Sequence, residues 1–403
     1  MTIKRLWVLL VILSTPLLLS GCWSKKELTD LAIVAAMGID KNEEGRYVGT
    51  MQIINPGNVT GGMQGGGGSQ GPPVSIATGT GDSIVELSRR TSRKLSRRLY
   101  YAHTNLVVIG EDLAKEESIS NILDPLERDA QFRSTAMIVI AQGTKASDIV
   151  KVLTSIEKIP SNKIIKTLKS TEKLWGENIS VNMQDAIRTL VSPGKGLLIS
   201  GFRLDGDANK GKKMENTQET EPSSSIYAGG LAMIKNGKLT EWIEGEAARG
   251  SIILLDKLNA SAFGVKWEGK EEAIIYELIG INTKVMAKME KGKPRVSIKV
   301  HAEGNIGEAR VPVDLNNPDL LLKLENEIEK EIKKEITIAV KEAQKNKLDI
   351  FGFGDALHRA HPDEWNKMEK KWSEVYFPEV KTDISVTAFI RRTGLRNKPH
   401  QMH

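Results

Sequence analysis

A single cysteine stands among the 403 residues of this chain, and its position suggests a definite chemistry. Lys4 and Arg5 precede an apolar run from Leu6 to Leu19, and Cys22 follows closely. A charged start, an apolar stretch and small residues before a cut are the parts of an export signal. Because the run is shorter than the ~20 residues that cross a bilayer as a helix, we expect residues 1–21 to be removed.

The end of this signal, Leu19-Ser20-Gly21-Cys22, resembles the lipobox of bacterial lipoproteins. In that class the cysteine sulfur receives a diacylglycerol through a thioether, and cleavage makes the cysteine the first residue. The reaction needs a nucleophilic sulfur, and small neighbours fit the processing enzymes. The alternative is a free cysteine in an ordinary secretory signal. We predict lipid attachment at Cys22, with diacylglyceryl and acyl (palmitate-type) chains together giving a stable anchor.

Composition limits the other classes of function. The net charge of +6 is mildly basic, which suits work beside anionic phospholipid and does not argue for nucleic-acid binding. With Cys22 lipidated, no cysteine remains for a disulfide or a cysteine-based metal site. No later apolar run approaches transmembrane length. We expect a protein that sits on a membrane and is stabilised by packed cores.

Six cations stand close together between residues 89 and 98, with no aromatic residues among them. Asp82 or Ser83 can cap a helix here. Apolar residues at helical spacing continue it: Ile84, Leu87, Thr91, Leu95 and Leu99. Three interpretations stay open: a solvated face, contact with anionic lipid headgroups, and contact with an acidic partner. The candidate membrane or partner contacts are Arg89, Arg93 and Arg97.

Histidines, carboxylates and aromatic residues are densest at 349–378. A metal site is one interpretation, because a spacing of three can place two imidazoles on one side of a helix. Its ligands would be His358 and His361 with Asp355 or Asp363. Pro362 interrupts a helix at that point, however. We favour the alternative, in which aromatic packing fixes the end of the long helix that precedes this segment.

The elements around these residues predict an α+β fold of two to three successive mixed α/β domains after a cleaved lipoprotein signal. The N-terminal α+β region covers 22–204, and a boundary between two subdomains would fall near 155–195. Residues 205–225 are polar and predict a linker or loop. A C-terminal α+β domain covers 226–395 and opens with a hairpin, because Asn236-Gly237 suits a two-residue turn.

One long amphipathic helix is predicted at about 318–345. Asn317 can cap it, and Pro318 suits its first position. Its apolar residues recur at spacings of three and four: Leu321, Leu324, Ile328, Ile332, Ile336 and Val340. This stripe predicts packing on a C-terminal sheet, with a docking helix for a partner as the alternative.

Strands and loops complete the prediction. Strands run from Phe263 to about Val313, with turns at 291–294 and 303–304, and a final strand covers 382–391. The glycine-rich segment 57–73 lacks the Gly-Lys-Ser/Thr of a phosphate-binding loop. We expect it to be a flexible surface loop.

Short motifs follow one another in a fixed order along the whole chain. They are Leu-Ser-Gly-Cys22-Trp23 with Glu27 to Val34, Tyr100 to His103 with Val107 to Glu111, Leu123-Asp124 with Arg128-Asp129, Gly237-Lys238-Leu239 with Glu246 to Gly250, Asp349 to Gly354, and Trp365, Trp372 and Phe377-Pro378. This ordered set resembles the Ger(x)C-type spore germination lipoproteins, the C subunits of nutrient germinant receptors in endospore-forming bacteria. Ala248 departs from the threonine common there, and the 61–71 glycine run looks like an insertion.

The resemblance implies a non-catalytic, lipid-anchored C subunit on the outer face of the spore inner membrane (a cell membrane), without a cofactor. Its partners would be an A subunit with membrane spans and a B subunit similar to amino-acid permeases. The family fold implied is α+β in three successive domains. An anchored lipoprotein that binds a small solute stays an alternative, with its site in a cleft flanking 205–225. A hydrolase is disfavoured, because no Gly-x-Ser-x-Gly, His-Glu-x-x-His or paired-carboxylate motif occurs.

Overall fold

The computed structural model describes residues 27–59, 71–192 and 194–392, together with the isolated Ile3. Apart from Ile3, the predicted signal peptide lies outside these residues, as do the lipid site at Cys22, most of the glycine-rich segment and the basic tail. Within the described part of the chain, no helix is both long and apolar enough to cross a membrane.

A nine-stranded mixed sheet organises the N-terminal half of the protein. Its strands are β1 (Leu31–Lys41), β2 (Tyr47–Ile54), β3 (Val74–Gly81), β4 (Arg98–Tyr100), β5 (Leu106–Gly110), β6 (Met137–Ala141), β7 (Leu197–Gly206), β8 (Ser224–Lys235) and β9 (Lys238–Ile243). The spatial order is β3-β2-β1-β5-β6-β7-β8-β9, with β4 also paired to β1. The central strands β1, β5, β6 and β7 are parallel, and the outer pairs are antiparallel.

Helices cover both faces of this sheet. They are α1 (Pro56–Val59), α2 (Ile84–Ser92), α3 (Glu111–Glu116), α4 (Ile119–Glu127), α5 (Ala146–Lys151), α6 (Pro160–Leu174), α7 (Met183–Val191) and α8 (Ala208–Gly211). Successive strand residues point to opposite faces. Met37 and Val107 accordingly share a core with α3, α4 and α7, whereas Ala36 and Leu106 share one with α5 and α6. Burial on both faces explains why β5 and β6 are almost continuously apolar.

A four-stranded sheet forms the centre of the C-terminal half. Its strands, in spatial order, are β10 (Ser261–Trp267), β11 (Lys270–Glu290), β12 (Lys293–Ala309) and β13 (Lys381–Arg392). The helices of this half are α9 (Gly245–Leu254), α10 (Pro318–Lys345), α11 (Phe353–Ala360) and α12 (Pro362–Met368), followed by short helical turns over 369–379. The predicted α+β class is confirmed.

The long helix is confirmed with its predicted bounds. Asn317 caps α10 by accepting a hydrogen bond from the backbone N–H of Asp319, and the apolar stripe is buried from Leu324 to Val340, with Leu321 partly buried. The helix packs against β10 and β13 of the second sheet. Glu329 and Glu325 of α10 also accept hydrogen bonds from the backbone N–H groups of Ala388 and Ile390, at 3.1 and 2.9 Å, on the edge strand β13. This helix therefore covers both the face and part of the edge of its sheet.

The helix predicted through Leu99 is too long. Ser83 caps α2 as expected, but the helix ends at Ser92, with Arg93 as its C-cap. Residues 98–100 form β4 instead, because they pair in parallel with residues 31–33 at the start of β1. Pairing with a strand far away in the sequence thus overrides the helical spacing of Leu95 and Leu99.

A second correction concerns the turn predicted at 303–304. Residues Glu303 and Gly304 lie inside β12, opposite Gly280 and Leu278 of β11, where the register shifts by one residue. A side chain at Gly304 would meet the ring of Tyr276 at 2.4 Å, so the glycine permits close strand packing and makes no turn. The turn at Lys291-Gly292 is present.

The segment predicted as a linker or loop, 205–225, includes the ends of two neighbouring antiparallel strands of one sheet, β7 and β8, and residues 207–223 connect them. The Asn236-Gly237 hairpin is confirmed, but β8 and β9 extend the first sheet, although the prediction grouped them with the C-terminal domain. Because β8 pairs with β7, the change from one sheet to the other falls after Ile243. The domain bounds 22–204 and 226–395 themselves stay a prediction.

The Asp349 to Gly354 motif is held together by the side chain of Asp349. Its fully buried carboxylate accepts hydrogen bonds from the backbone N–H groups of Phe353 and Gly354 at the start of α11, at 3.1 and 2.7 Å, and from the Trp372 indole at 2.9 Å. A further bond comes from the backbone N–H of Phe351. Burial raises the pKa of Asp349, and these donors act in the opposite direction.

We predict that Asp349→Ala lowers the free energy of unfolding by about 3–5 kcal/mol, because it leaves several buried donors unpaired. Asp349→Asn, which keeps one acceptor oxygen, should cost less. Urea unfolding measures both, with the exposed Asp205→Ala as the control, expected within about 0.5 kcal/mol of wild type. Equal stability of Asp349→Ala and Asp205→Ala would contradict the structural role.

Candidate functional site

The end of the first sheet at which β1 begins is the end closest in sequence to the predicted anchor. Leu31 opens β1 there, beside β4 and the segment from Asn55 to Gly57. A cavity of about 340 Å³ separates these parts, and Leu31, Leu95 and Arg97 contribute to its lining. We refer to this end of the sheet as the β1 entry end.

The three candidate arginines do not share one helical face. Arg89 lies in the last turn of α2, Arg93 is its C-cap residue, and Arg97 lies in the turn before β4. Arg97 belongs to the β1 entry end, whereas Arg89 lines a separate cavity between α2 and the end of α4. Within the described residues none of the three forms an ion pair, so their charges are available for other contacts.

The carboxyl ends of β1, β5 and β6 meet at one edge of the sheet, where open α/β sheets commonly bind ligands. Here the protein's own carboxylates fill that position. Asp40 accepts hydrogen bonds from the backbone N–H groups of Ala146 and Ser147 at the start of α5, at 2.8 and 2.9 Å. Burial raises the pKa of Asp40, and the two backbone donors partly offset that shift.

Glu111 accepts hydrogen bonds from donors at the neighbouring part of this edge. Its two oxygens accept from the backbone N–H of Gly143 at 2.5 Å and from the Trp242 indole at 3.0 Å. Next to it, the Gln142 amide donates to Glu244 at 2.8 Å, and Glu244 also pairs with Arg203. These polar groups bind one another, so this edge is held together internally.

The histidine-rich segment packs as the favoured alternative predicts. The His358 ring stacks on Trp365 at 6.0 Å between ring centroids, and Trp365 meets Trp372 edge-on at 5.2 Å. His361 lies between α11 and α12. In the described ranges, no group of three or more His, Cys, Asp or Glu side chains could hold a metal ion. Gln344 of α10 donates to the carbonyl of Val380 at 2.8 Å, which ties this segment to the end of the long helix.

The Glu246 to Gly250 motif has a structural purpose that sequence reasoning missed. Arg249 of α9 makes a two-pronged ion pair with Glu335 of α10, whose side chain is 1% exposed. A side chain at Gly250 would meet the carbonyl oxygen of Glu335 at 2.3 Å, so the glycine lets the two helices touch. The Arg249 guanidinium also lies 4.7 Å from the centre of the Phe263 ring. Burial raises the pKa of Glu335, and Arg249 offsets part of that shift.

The fold and these clusters define a two-sheet α+β protein whose buried polar groups hold its elements together, with cations near one end that pair with no described carboxylate. Two domain families match the sequence: "Spore germination protein N-terminal domain" over residues 24–204, and "Spore germination B3/ GerAC like, C-terminal" over residues 229–394. The chain therefore belongs to the GerAC-like family of spore germination proteins.

Individual relatives agree with this assignment. Spore germination protein KC of Bacillus subtilis is 45% identical over 98% of this chain and 97% of its own length. Spore germination protein GerQC of Bacillus cereus is 23% identical over 94% of this chain and 98% of its own. The crystal structure of the GerBC protein superposes with a TM-score of 0.56 at 20% identity, covering 88% of this chain and 96% of that one, and so shares the fold.

We predict that breaking the Arg249–Glu335 pair on one side is costly. Arg249→Met should lower the free energy of unfolding by about 3 kcal/mol, because it leaves Glu335 buried without its partner. The double variant Arg249→Met/Glu335→Leu should recover most of that loss, since neither charge then stays buried. Urea unfolding of the three proteins measures both effects.

The exposed Lys330–Glu327 pair provides the control, and Lys330→Met should change stability by less than about 1 kcal/mol. A double variant that is less stable than either single variant would show that the charges themselves are stabilising and would contradict this interpretation.

Proposed function

We propose that this chain is the lipid-anchored C subunit of a spore nutrient germinant receptor, and that it serves receptor assembly or signalling without catalysis. Family membership over both halves of the chain carries the proposal. The single cysteine at the end of an export signal, Cys22, supports a lipid anchor on the outer face of the spore inner membrane. The partners proposed are the membrane-spanning A subunit and the permease-like B subunit.

The short distance between Cys22 and the fold supports one orientation on the membrane. Residues 23–30 alone separate the cysteine from β1, and an extended chain of that length reaches at most ~30 Å. The β1 entry end must therefore stay close to the lipid surface. Arg97 lies at this end, and Arg93 lies a few residues before it, which suits contact with anionic headgroups.

A loop at the same end adds an apolar contact. The Lys158 ammonium donates to the carbonyl of Val59 at 3.1 Å, which places residues 154–159 against α1 at the β1 entry end. Ile156 at the tip of this loop is 91% exposed. An exposed isoleucine at the tip of a loop is suited to the boundary between headgroups and acyl chains. The same end thus combines a short tether, cations and an apolar tip.

We predict that Cys22→Ala releases the chain from the membrane and slows nutrient-triggered germination. Fractionation should be done in a host that makes this chain without receptor partners, because those partners could hold an unlipidated protein in place. Ser20→Ala, which keeps a small residue beside the intact cysteine, is the matched control and should stay membrane-bound. Full membrane retention of Cys22→Ala in that host would contradict lipid anchoring.

We also predict that Arg93→Gln/Arg97→Gln weakens binding of the chain from residue 23 onward to anionic phosphatidylglycerol vesicles by roughly thirtyfold, since each cation near such a surface contributes about 1 kcal/mol. Vesicle co-sedimentation measures the change.

Lys284→Gln/Lys299→Gln is the matched control, because it removes two exposed cations from the outer face of the second sheet. It should bind like wild type. Equal loss in the two double variants would show that only net charge matters and would contradict the proposed orientation.

A further inference from the structure

A second cavity, of about 420 Å³, lies between α2, the C-terminal end of α4 and the adjoining strands. This volume falls within the range of sites that hold small molecules. Its apolar wall includes Met37, Leu99 and Phe132, all of them buried. The Tyr101 hydroxyl, which shares a 2.8 Å hydrogen bond with Ser88, lies in the same wall.

The charges around this cavity are unbalanced. Arg128 is already held by both oxygens of Asp124, at 2.8 and 2.9 Å. Arg89 and Arg98 line the same cavity, and no described residue forms an ion pair with either of them. The carboxylate of Asp129, also in the lining, accepts a backbone hydrogen bond from Gln131 at 2.9 Å. Two cations against one anion leave an excess of positive charge.

The charged groups act close to the Tyr101 hydroxyl. Burial raises the pKa of Tyr101, the hydrogen bond from Ser88 lowers it, and the nearby charges of Asp129 and Arg89 shift it up and down respectively. Arg89 also lies in the last turn of α2, where a cation is favourable for the helix itself. Arg98 lies in the strand β4, where no helix end favours a cation. Together with its neighbour Leu99, it lines the cavity.

We propose that this cavity binds a small amphipathic carboxylate, with Arg89 and Arg98 at the carboxylate and Met37, Leu99 and Phe132 against the apolar body. Guanidinium groups recognise carboxylates through paired, charge-assisted hydrogen bonds. The cavity is too small for a partner's helix, whose diameter with side chains is about 10 Å. The site lies on the α2–α4 side of the first sheet and not beside 205–225, where a solute cleft is predicted from the sequence.

This proposal goes beyond the anchored receptor subunit, because it gives the chain a ligand of its own. It does not depend on lipidation, and a chain that failed the membrane test could still bind the acid. Failure of the two proposals can therefore be told apart.

The test is isothermal titration of the full-length chain in detergent micelles, with titrations into empty micelles subtracted. The probes are 4-methylpentanoate and 3-phenylpropanoate, with 4-methylpentanamide, isopentylamine and acetate as matched controls. We expect saturable binding of the two acids and at least tenfold weaker binding of the amide, the amine and acetate, because each lacks the carboxylate or the apolar body.

The variants Arg89→Gln and Arg98→Gln should each weaken binding of the acids by about tenfold or more. Arg188→Gln, which removes an exposed arginine of α7 outside the cavity lining, is the matched control and should bind like wild type. Circular dichroism confirms that each variant is folded, and either cavity variant suffices if the other does not fold. Absence of saturable acid binding, equal binding of acid and amide, or an equal effect of Arg188→Gln and the cavity variants would overturn the proposal.

Discussion

The ion pair between Arg249 and Glu335 is the contact on which the arrangement of this protein depends most. It joins α9, which follows the last strand of the first sheet, to α10, which covers the second sheet. Such a pair is costly to bury and stabilises only when its geometry is good, so its value here is to fix one position of the two helices. Gly250 allows the helices to approach, and Phe263 packs against the guanidinium. Just beyond the C-terminal end of α10, the buried Asp349 carboxylate joins the start of α11 to Trp372.

Buried and half-buried carboxylates elsewhere in the chain also bind the protein's own groups. Asp40 and Glu111 occupy the sheet edge where many α/β proteins bind ligands, so the chain's own carboxylates satisfy the donors that a ligand would need. Arg97 at the β1 entry end and Arg89 and Arg98 around the cavity behind α2 form no ion pair with any described residue. In the anchored subunit that we propose, such surface cations would be available to the membrane and to partner chains, while the buried polar pairs hold the core together.

Local patterns predicted the local elements well. Asn236-Gly237 specified its hairpin, and Asn317 with Pro318 specified the start of α10, because turn and cap chemistry act over a few residues. The prediction was wrong where a distant partner decided the outcome. The spacing of Leu95 and Leu99 fits a helix, but residues 98–100 form a strand because they pair with β1. No periodic pattern in the sequence indicates that Arg249 pairs with Glu335. The same holds for Arg89 and Arg98, which line one cavity. Glu335 lies on the predicted amphipathic helix, but nothing in the sequence indicates Arg249 as its partner.

We propose that this chain is an anchored subunit of a larger membrane assembly. Affinity purification of the tagged chain from detergent-solubilised inner membranes of dormant spores, followed by mass spectrometry, tests this proposal. We predict recovery of a membrane-spanning A subunit and a permease-like B subunit, together with an N-terminal peptide that begins at a lipid-modified Cys22. Recovery of the chain from the soluble fraction, without multi-spanning partners, would show that it is not such a subunit.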